Sequence, residues 1–213
     1  DEAFATSVTM KVWGLLLDAK TEVDITSPYL VPGVRGMEAF DDLAKRKVKL
    51  TLLTNSLAAN DEPLVHTGYA RYRERLLASG ADLYELSPAR TTASKRFGSF
   101  GTSLGRLHAK TAAIDRRKIF IGSMNLDPRS ATQNTEMGVV VDSPQLAREM
   151  LRVINVSKVQ NSYRLRLAKG TGTLEWLTND GEKEIVLTAE PESTFFQRLY
   201  NLLLSPLVPE TLL

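Results

Sequence analysis

The chain has 213 residues, long enough to bury a full core, and its 43% hydrophobic and 24% charged content is ordinary for a globular protein. A formal net charge of +2 is too small to mark a nucleic-acid binder by itself, because such modules gather a dense basic face. There is no cysteine, which excludes a disulfide framework and thiolate metal sites, and the apolar cluster at 12–17 falls far short of a bilayer span.

The sequence opens on Asp1-Glu2-Ala3-Phe4, without an initiator methionine or a basic-then-apolar leader, and reads as a start inside a longer protein. Met10, Trp13, Leu16 and Leu17 stand at helical spacing, so residues 7–20 are expected to form an amphipathic helix. Residues 23–27 read as a strand ending at Pro28 and Pro32, residues 37–46 as a helix and residues 48–53 as a buried strand. A longer helix over 63–79 closes at Gly80 and precedes a strand at 81–86. Residues 87–106 dissolve into a Ser-, Thr-, Gly- and Arg/Lys-bearing loop. Strands are expected at 107–114, 118–121 and 135–141, with a turn at Asp115 and a helix over 144–154. Beyond residue 161 the pattern alternates with period two between glycine turns, a β-meander, and an apolar helical stripe over 195–204 follows. The reading is an α/β layered fold with a mixed sheet flanked by helices on both faces, plus a small C-terminal β-meander and terminal helix. The expected division is 1–158 for the main domain and 159–213 for the meander and amphipathic end.

One pattern carries chemistry. His108-x-Lys110-x4-Asp115-x6-Gly122-Ser123-x-Asn125, with Asn134-x-Glu136 downstream, occurs once. His108 and Lys110, two apart on a strand, share a face, and Ala112 beyond them leaves room. Ser123 and Asn125 share the same spacing on a segment able to fold back beside the first. The set gathers imidazole, ammonium, hydroxyl and carboxamide around one phosphate: histidine attacks phosphorus or moves a proton, and the others stabilise charge on the oxygens. Glu136 is placed to accept from the second ring nitrogen of His108. Asp115, at a turn, suits pairing with the lysine or capping backbone amides. A lone histidine is more often structural, but six residue types at fixed spacing match by chance on the order of once in a million.

The pattern resembles the HKD motif of the phospholipase D superfamily. That resemblance implies a phosphohistidine intermediate with no metal or cofactor, one histidine acting as nucleophile and a second protonating the leaving alkoxide. It also implies that two such motifs meet at one site, so a second HKD half must come from an N-terminal region outside this sequence or from a homodimer partner. In tandem members the first-half histidine serves as nucleophile, which leaves His108 as general acid. Thr26-Ser-Pro-Tyr-Leu-Val-Pro-Gly33, Leu53-Thr-Asn-Ser-Leu-Ala-Ala-Asn60, Val65-His-Thr-Gly-Tyr-Ala-Arg-Tyr-Arg73 and Asn125-Leu-Asp-Pro-Arg-Ser130 are similar to the C-terminal half of bacterial C-type cardiolipin synthases. The implied function is phosphatidyl transfer between phospholipids, with phosphatidylglycerol and phosphatidylethanolamine as substrates at the bacterial inner membrane. The alternatives are a single-motif homodimeric phosphodiesterase or nuclease, or a phospholipid hydrolase, and the modest charge disfavours the nuclease.

Other features admit two readings. His66 either lines a headgroup cleft or is a partly buried helix residue. Arg90, Lys95, Arg96 and Arg106 either meet anionic phosphates or belong to a solvated loop. The stripe of Phe195, Leu199, Leu202 and Leu203 either lies on a membrane surface, a peripheral contact, or packs on its own domain.

Overall fold

The computed structural model describes residues 7–93, 102–103, 105–181 and 183–209. Ser7 starts α1 (Val8–Leu17) by accepting from the Met10 amide, as a serine at a helix start does. Next come β1 (Glu22–Thr26), α2 (Gly33–Lys45) and β2 (Lys49–Asn55), then α3 (Pro63–Ala70), α4 (Arg73–Ala78), β3 (Asp82–Leu86) and α5 (Pro88–Ala93). A short ribbon of β4 (Thr102–Ser103) and β5 (Arg106–Leu107) precedes β6 (Lys110–Ile114) and β7 (Lys118–Gly122). The chain continues through α6 (Pro128–Thr132), β8 (Gly138–Asp142) and the long α7 (Pro144–Asn161). It ends with β9 (Ser162–Leu167), β10 (Leu174–Asp180), β11 (Lys183–Leu187) and α8 (Phe195–Leu204).

Nine strands form one mixed sheet in the order β11-β10-β9-β3-β2-β1-β6-β7-β8. The three central strands β1, β2 and β3 are parallel, and every other neighbouring pair is antiparallel. Strand alternation then divides the side chains between two faces. Val23 and Ile25 of β1 join Leu50 and Leu52 of β2 in the main core, against Val12 and Leu16 of α1 and Met37 and Phe40 of α2. On the other face Ala113 and Ile119 meet Ala147 of α7. Helices therefore cover both faces, as the sequence pattern predicts.

Three local expectations change. The single helix over 63–79 is two helices with a break at Arg71 and Tyr72, and the break precedes Arg73, whose long side chain turns into the core. The helix expected over 144–154 runs on to Asn161 and hands the chain directly to β9. The meander is not set apart from the main sheet: β9 pairs with β3 through Tyr84–Arg164, Glu85–Tyr163 and Leu86–Ser162. An alternating pattern reads the same whether strands stand alone or continue a sheet, but β3 would otherwise be an open edge.

The junction is held by a buried ionic knot. Glu85 of β3, with 0% exposure, accepts from Tyr69 Oη, Arg73 Nε and Trp176 Nε1, each at 2.8 Å. Arg73 also pairs with Glu190, lies 2.9 Å from His66 Nε2, and stacks over the rings of Tyr69 and Trp176. Burial works against the Arg73 cation, but Glu85 and Glu190 outweigh it and keep it charged. His66 is wholly buried in this knot rather than lining a cleft. Burial pushes Glu190 up, but Arg73 and His66 hold its carboxyl down at about 2.

Removing one partner of a buried ion pair costs about 3–5 kcal/mol. Glu85→Ala is expected to lower the unfolding free energy by an amount in that range, read as a lower urea midpoint with the slope unchanged. The Glu190 carboxyl is depressed on folding. Its contribution is therefore complete above the free value of about 4.3 and is lost as pH falls through about 2. Glu190→Gln should flatten that acid limb, which acid titration of the unfolding free energy measures.

Candidate active site

Strand direction decides what can meet. The carboxyl ends of β1, β2 and β3 lie at one edge of the sheet, because the three strands are parallel. β6 runs antiparallel to β1, so its start at Lys110 lies at that same edge. β7 returns there at Gly122, and β8 begins there at Gly138, paired as Lys110–Gly122 and Gly122–Gly138. His108, Lys110, Ser123 and Glu136 are thus brought to one edge from three successive strands.

His108 is exposed, in the gap between β5 and β6 rather than within a continuous strand. Lys110 Nζ donates to the His108 carbonyl at 2.9 Å and lies 3.5 Å from His108 Nε2. Burial pushes the Lys110 ammonium below its ordinary value, while Glu136, Asp61 and Asp127 favour the charged form. The Ser123 hydroxyl donates to Glu136 and accepts from the Met137 amide at 3.0 Å. Asn134 Nδ2 donates to the other oxygen of Glu136 at 3.3 Å. Glu136 is therefore committed to Ser123 and Asn134, and among the described residues no hydrogen bond joins it to His108. The Asn125 backbone amide donates to Ser130 Oγ at 3.3 Å, while its Oδ1 is buried without a hydrogen-bond partner among the described residues. A buried acceptor in that state costs about 1–3 kcal/mol, which marks it as a place that gains from a donor.

Asp115 stands apart. It lies at the far end of β6, roughly 17 Å along the strand from Lys110 at ordinary strand rise. It adopts φ 52°, a conformation that aspartate tolerates, and Arg116 follows it at 52°. Its carboxylate accepts from the backbone amides of Lys20, Thr21 and Glu22 and from the Thr21 hydroxyl. Burial pushes it up, but those donors outweigh burial and hold it below its ordinary value. It fastens the β6–β7 turn to the entrance of β1 and does not reach the histidine.

Sequence reasoning missed several residues that build the edge. Asn55, at the end of β2, both donates to and accepts from the Leu107 backbone, at 3.1 and 2.8 Å, and so fixes the residue beside His108. Ser27 Oγ donates to the Tyr29 carbonyl and accepts from the Leu126 amide, and Val31 donates to the Leu126 carbonyl, stitching the loop after β1 to the segment after β7. Tyr29 Oη donates to Asp61 at 3.0 Å. A polar residue ending a strand carries no local signal of its partner, so these were invisible. Asp127 did have one: Asp-Pro-x-Ser is a helix start, and Asp127 accepts from Ser130 N to begin α6. Gly122 and Gly138 are required because the Phe120 ring crosses both: a Cβ would come within 2.5 and 2.4 Å of it, respectively. Of the loop cations, Arg90 donates to the carbonyls of Gln160 and Asn179, Arg106 is exposed, and Lys95 and Arg96 lie outside the described residues.

Comparison with known proteins gives this geometry a family. The family described as cardiolipin synthase, PLD-like domain, matches residues 13–156. The chain belongs to the phospholipase D-like domain family of cardiolipin synthases. Cardiolipin synthase C of Escherichia coli (strain K12) is 40% identical over 205 residues, 95% of this chain and 43% of that protein. The chain therefore spans less than half the length of this phospholipase D-like relative. Among solved structures, Nuc from Salmonella typhimurium, a phospholipase D family member, aligns with a TM-score of 0.58 at 20% identity. That alignment covers 74% of this chain and 90% of Nuc. Phosphatidylserine synthase from Haemophilus influenzae aligns at 0.54 with 15% identity, over 72% of this chain and 36% of that one. These two likenesses show the phospholipase D-like fold.

The two ends of the motif should respond differently to substitution. Asp115→Ala strips charge-assisted bonds from three backbone amides and should cost about 1.5–3 kcal/mol in chemical unfolding. His108→Ala, at an exposed position, should stay within about 0.5 kcal/mol of the parent. Equal losses for both would contradict this division.

Proposed function

We propose that this chain supplies one half of a phosphatidyltransferase centre that forms cardiolipin by phosphodiester exchange. The supporting observation is the exposed His108 at the sheet edge with Lys110 Nζ 3.5 Å from its ring, in a chain 40% identical to a named cardiolipin synthase over 95% of its length. A second HKD half, from an N-terminal region or a second copy, completes the site. Residues 1–158 carry the chemistry and 159–213 the meander and amphipathic end.

In the first step a histidine nitrogen forms a bond to the phosphorus of a donor phospholipid. The bond to the departing headgroup oxygen breaks, and the other histidine, protonated, gives that alkoxide its proton. A glycerol hydroxyl of phosphatidylglycerol then attacks phosphorus, the nitrogen–phosphorus bond breaks, and the hydroxyl proton returns to the second histidine. His108 fills the acid and base role, and the nucleophile comes from the other half. Lys110 and the Asn125 Nδ2 amide stabilise the charge that grows on the non-bridging oxygens, and Ser123 adds a donor when its hydroxyl turns from Glu136 to the phosphate. Glu136 acts through Ser123, fixing its hydroxyl, and Asp115 acts only through the register of β6. The donor is phosphatidylethanolamine or phosphatidylglycerol, and no cofactor enters.

The protein works peripherally, at the bacterial inner membrane. Among the described residues no helix is long and apolar enough to cross a bilayer. α8 buries none of its residues, and Phe196, 78% exposed, stands with Phe195, Tyr200 and Leu202 on its surface. Aromatic and aliphatic side chains on an amphipathic helix suit the membrane interface.

The test offers phosphatidylglycerol–phosphatidylethanolamine liposomes, and separately DNA, to the chain alone and to the chain joined to a second half bearing its own motif. Cardiolipin from the joined protein, reduced about 10²–10⁴-fold by His108→Ala, is the expected result. Sedimentation of the same liposomes should weaken when residues 193–213 are removed. DNA cleavage by a dimer of the chain would replace lipid transfer with the nuclease reading. Cardiolipin made by the monomeric chain alone would end the half-site reading.

A further inference from the structure

Beside the motif lies a cavity of about 460 Å³ between α1, α2 and the segment after β7. Its walls are chiefly apolar: Trp13 and Leu17 of α1, Val31 and Val34, and Met124 and Leu126. Met10, Leu17 and Val34, 66% exposed in the last case, form an apolar rim. Gly36 lets α2 pack close to Pro32 and Trp13 in the wall, where a Cβ would come within 2.8 Å and 3.2 Å of them, respectively.

The cavity meets the motif at Asn125, in the segment after β7. Asn125 belongs both to the motif and to the cavity wall, and its buried Oδ1 lacks a partner among the described residues. Its Cα lies within about 7 Å of that of Ser123, the limit for two residues of chain. A phosphate held at His108 and Lys110 would then have the Asn125 side-chain amide, with Nδ2 as its donor, between it and the apolar hole. That sequence of phosphate donors, one polar group and hydrocarbon-lined space is the layout of a phosphodiester esterified to an acylglycerol. The volume falls in the range that holds a single small apolar ligand, about 300–1,000 Å³.

We propose that this cavity takes one acyl chain of the phospholipid whose phosphate reacts at His108. The assignment rests on the lipid reading of the site and deepens it: the enzyme measures its substrate by the chain as well as by the headgroup.

The chain has two tryptophans, Trp13 in the cavity wall and Trp176 buried in the knot at Glu85, so their emission separates the two places. The probe is a lysophosphatidylglycerol with a brominated acyl chain, held below its micelle concentration and added to the 213-residue chain. A saturable loss of the Trp13 share of emission is expected. That loss should vanish in Ala39→Phe, which fills the cavity, and in Val34→Asp, which places a charge at its exposed mouth. Circular dichroism checks that both variants fold, and the surface position of Val34 keeps the test alive if Ala39→Phe does not. No quenching in the parent, or quenching that survives in the folded variants or in Trp13→Phe, overturns the proposal. Quenching in the chain, with no phosphatidyl transfer by the protein joined to a second half, would sink the lipid-transfer reading and leave the cavity assigned. Cardiolipin formation without quenching would do the reverse.

Discussion

The antiparallel pairing of β6 with β1 is the constraint on which the site depends. β1 sits between a parallel neighbour, β2, and an antiparallel one, β6, in the register Val23–Ile114 through Thr26–Thr111. That single reversal brings the start of β6 to the edge where β1, β2 and β3 end. Once it is set, the β6–β7–β8 meander must deliver Ser123 and Glu136 to the same edge. The reversal is fastened at its far end by Asp115, whose carboxylate gathers three amides at the entrance to β1. A one-residue slip would turn every side chain of β6 to the opposite face, so a firm anchor at one end protects the chemistry at the other. One short motif thus holds a reactive end and an end that sets register.

Much of this was legible in the sequence and some could not be. The HKD pattern is a run of residue types at fixed spacing, and spacing survives translation into strands, so the gathering of His108, Lys110 and Ser123 was readable. The strands and helices with strong periodicity also stood out, α1, β2 and α8 among them. What failed to show was partnership across the chain. Glu136 was expected at His108 because carboxylates often orient imidazoles, but the β7–β8 pairing puts Ser123 within its reach instead. Asn55 and Tyr29 gave no signal, since their partners are 52 and 32 residues away. The break between α3 and α4 left no mark in the pattern, and Tyr69 and Arg73 on its two sides still reach the same Glu85 carboxylate. The continuity of the meander with β3 was equally hidden, since pattern fixes a strand but not its neighbour.

Polar and apolar features are arranged along the molecule in a way that suits a lipid substrate. The edge at His108 carries an imidazole, a lysine, hydroxyls, amides and the Glu136 carboxylate. The cavity beside it is hydrocarbon-lined, and the terminal helix exposes a further apolar face. That helix is not free to drift: Arg71 donates to the carbonyls of Ser205 and Val208 at its end, and Glu190 ahead of it is held by Arg73. The buried knot therefore serves two surfaces at once, joining β9–β11 to the main sheet and tethering the segment that carries α8.

If the proposed function holds, the edge at His108 and Lys110 binds a phosphoryl group. The chain has two histidines, one wholly buried at 66 and one exposed at 108, so their ring protons give two separable reporters in a proton NMR spectrum. Titration with inorganic phosphate should move the His108 signal saturably, leave that of His66 in place, and lose its effect in Lys110→Ala. A His108 signal that stays still, or one that moves equally in Lys110→Ala, would contradict the account.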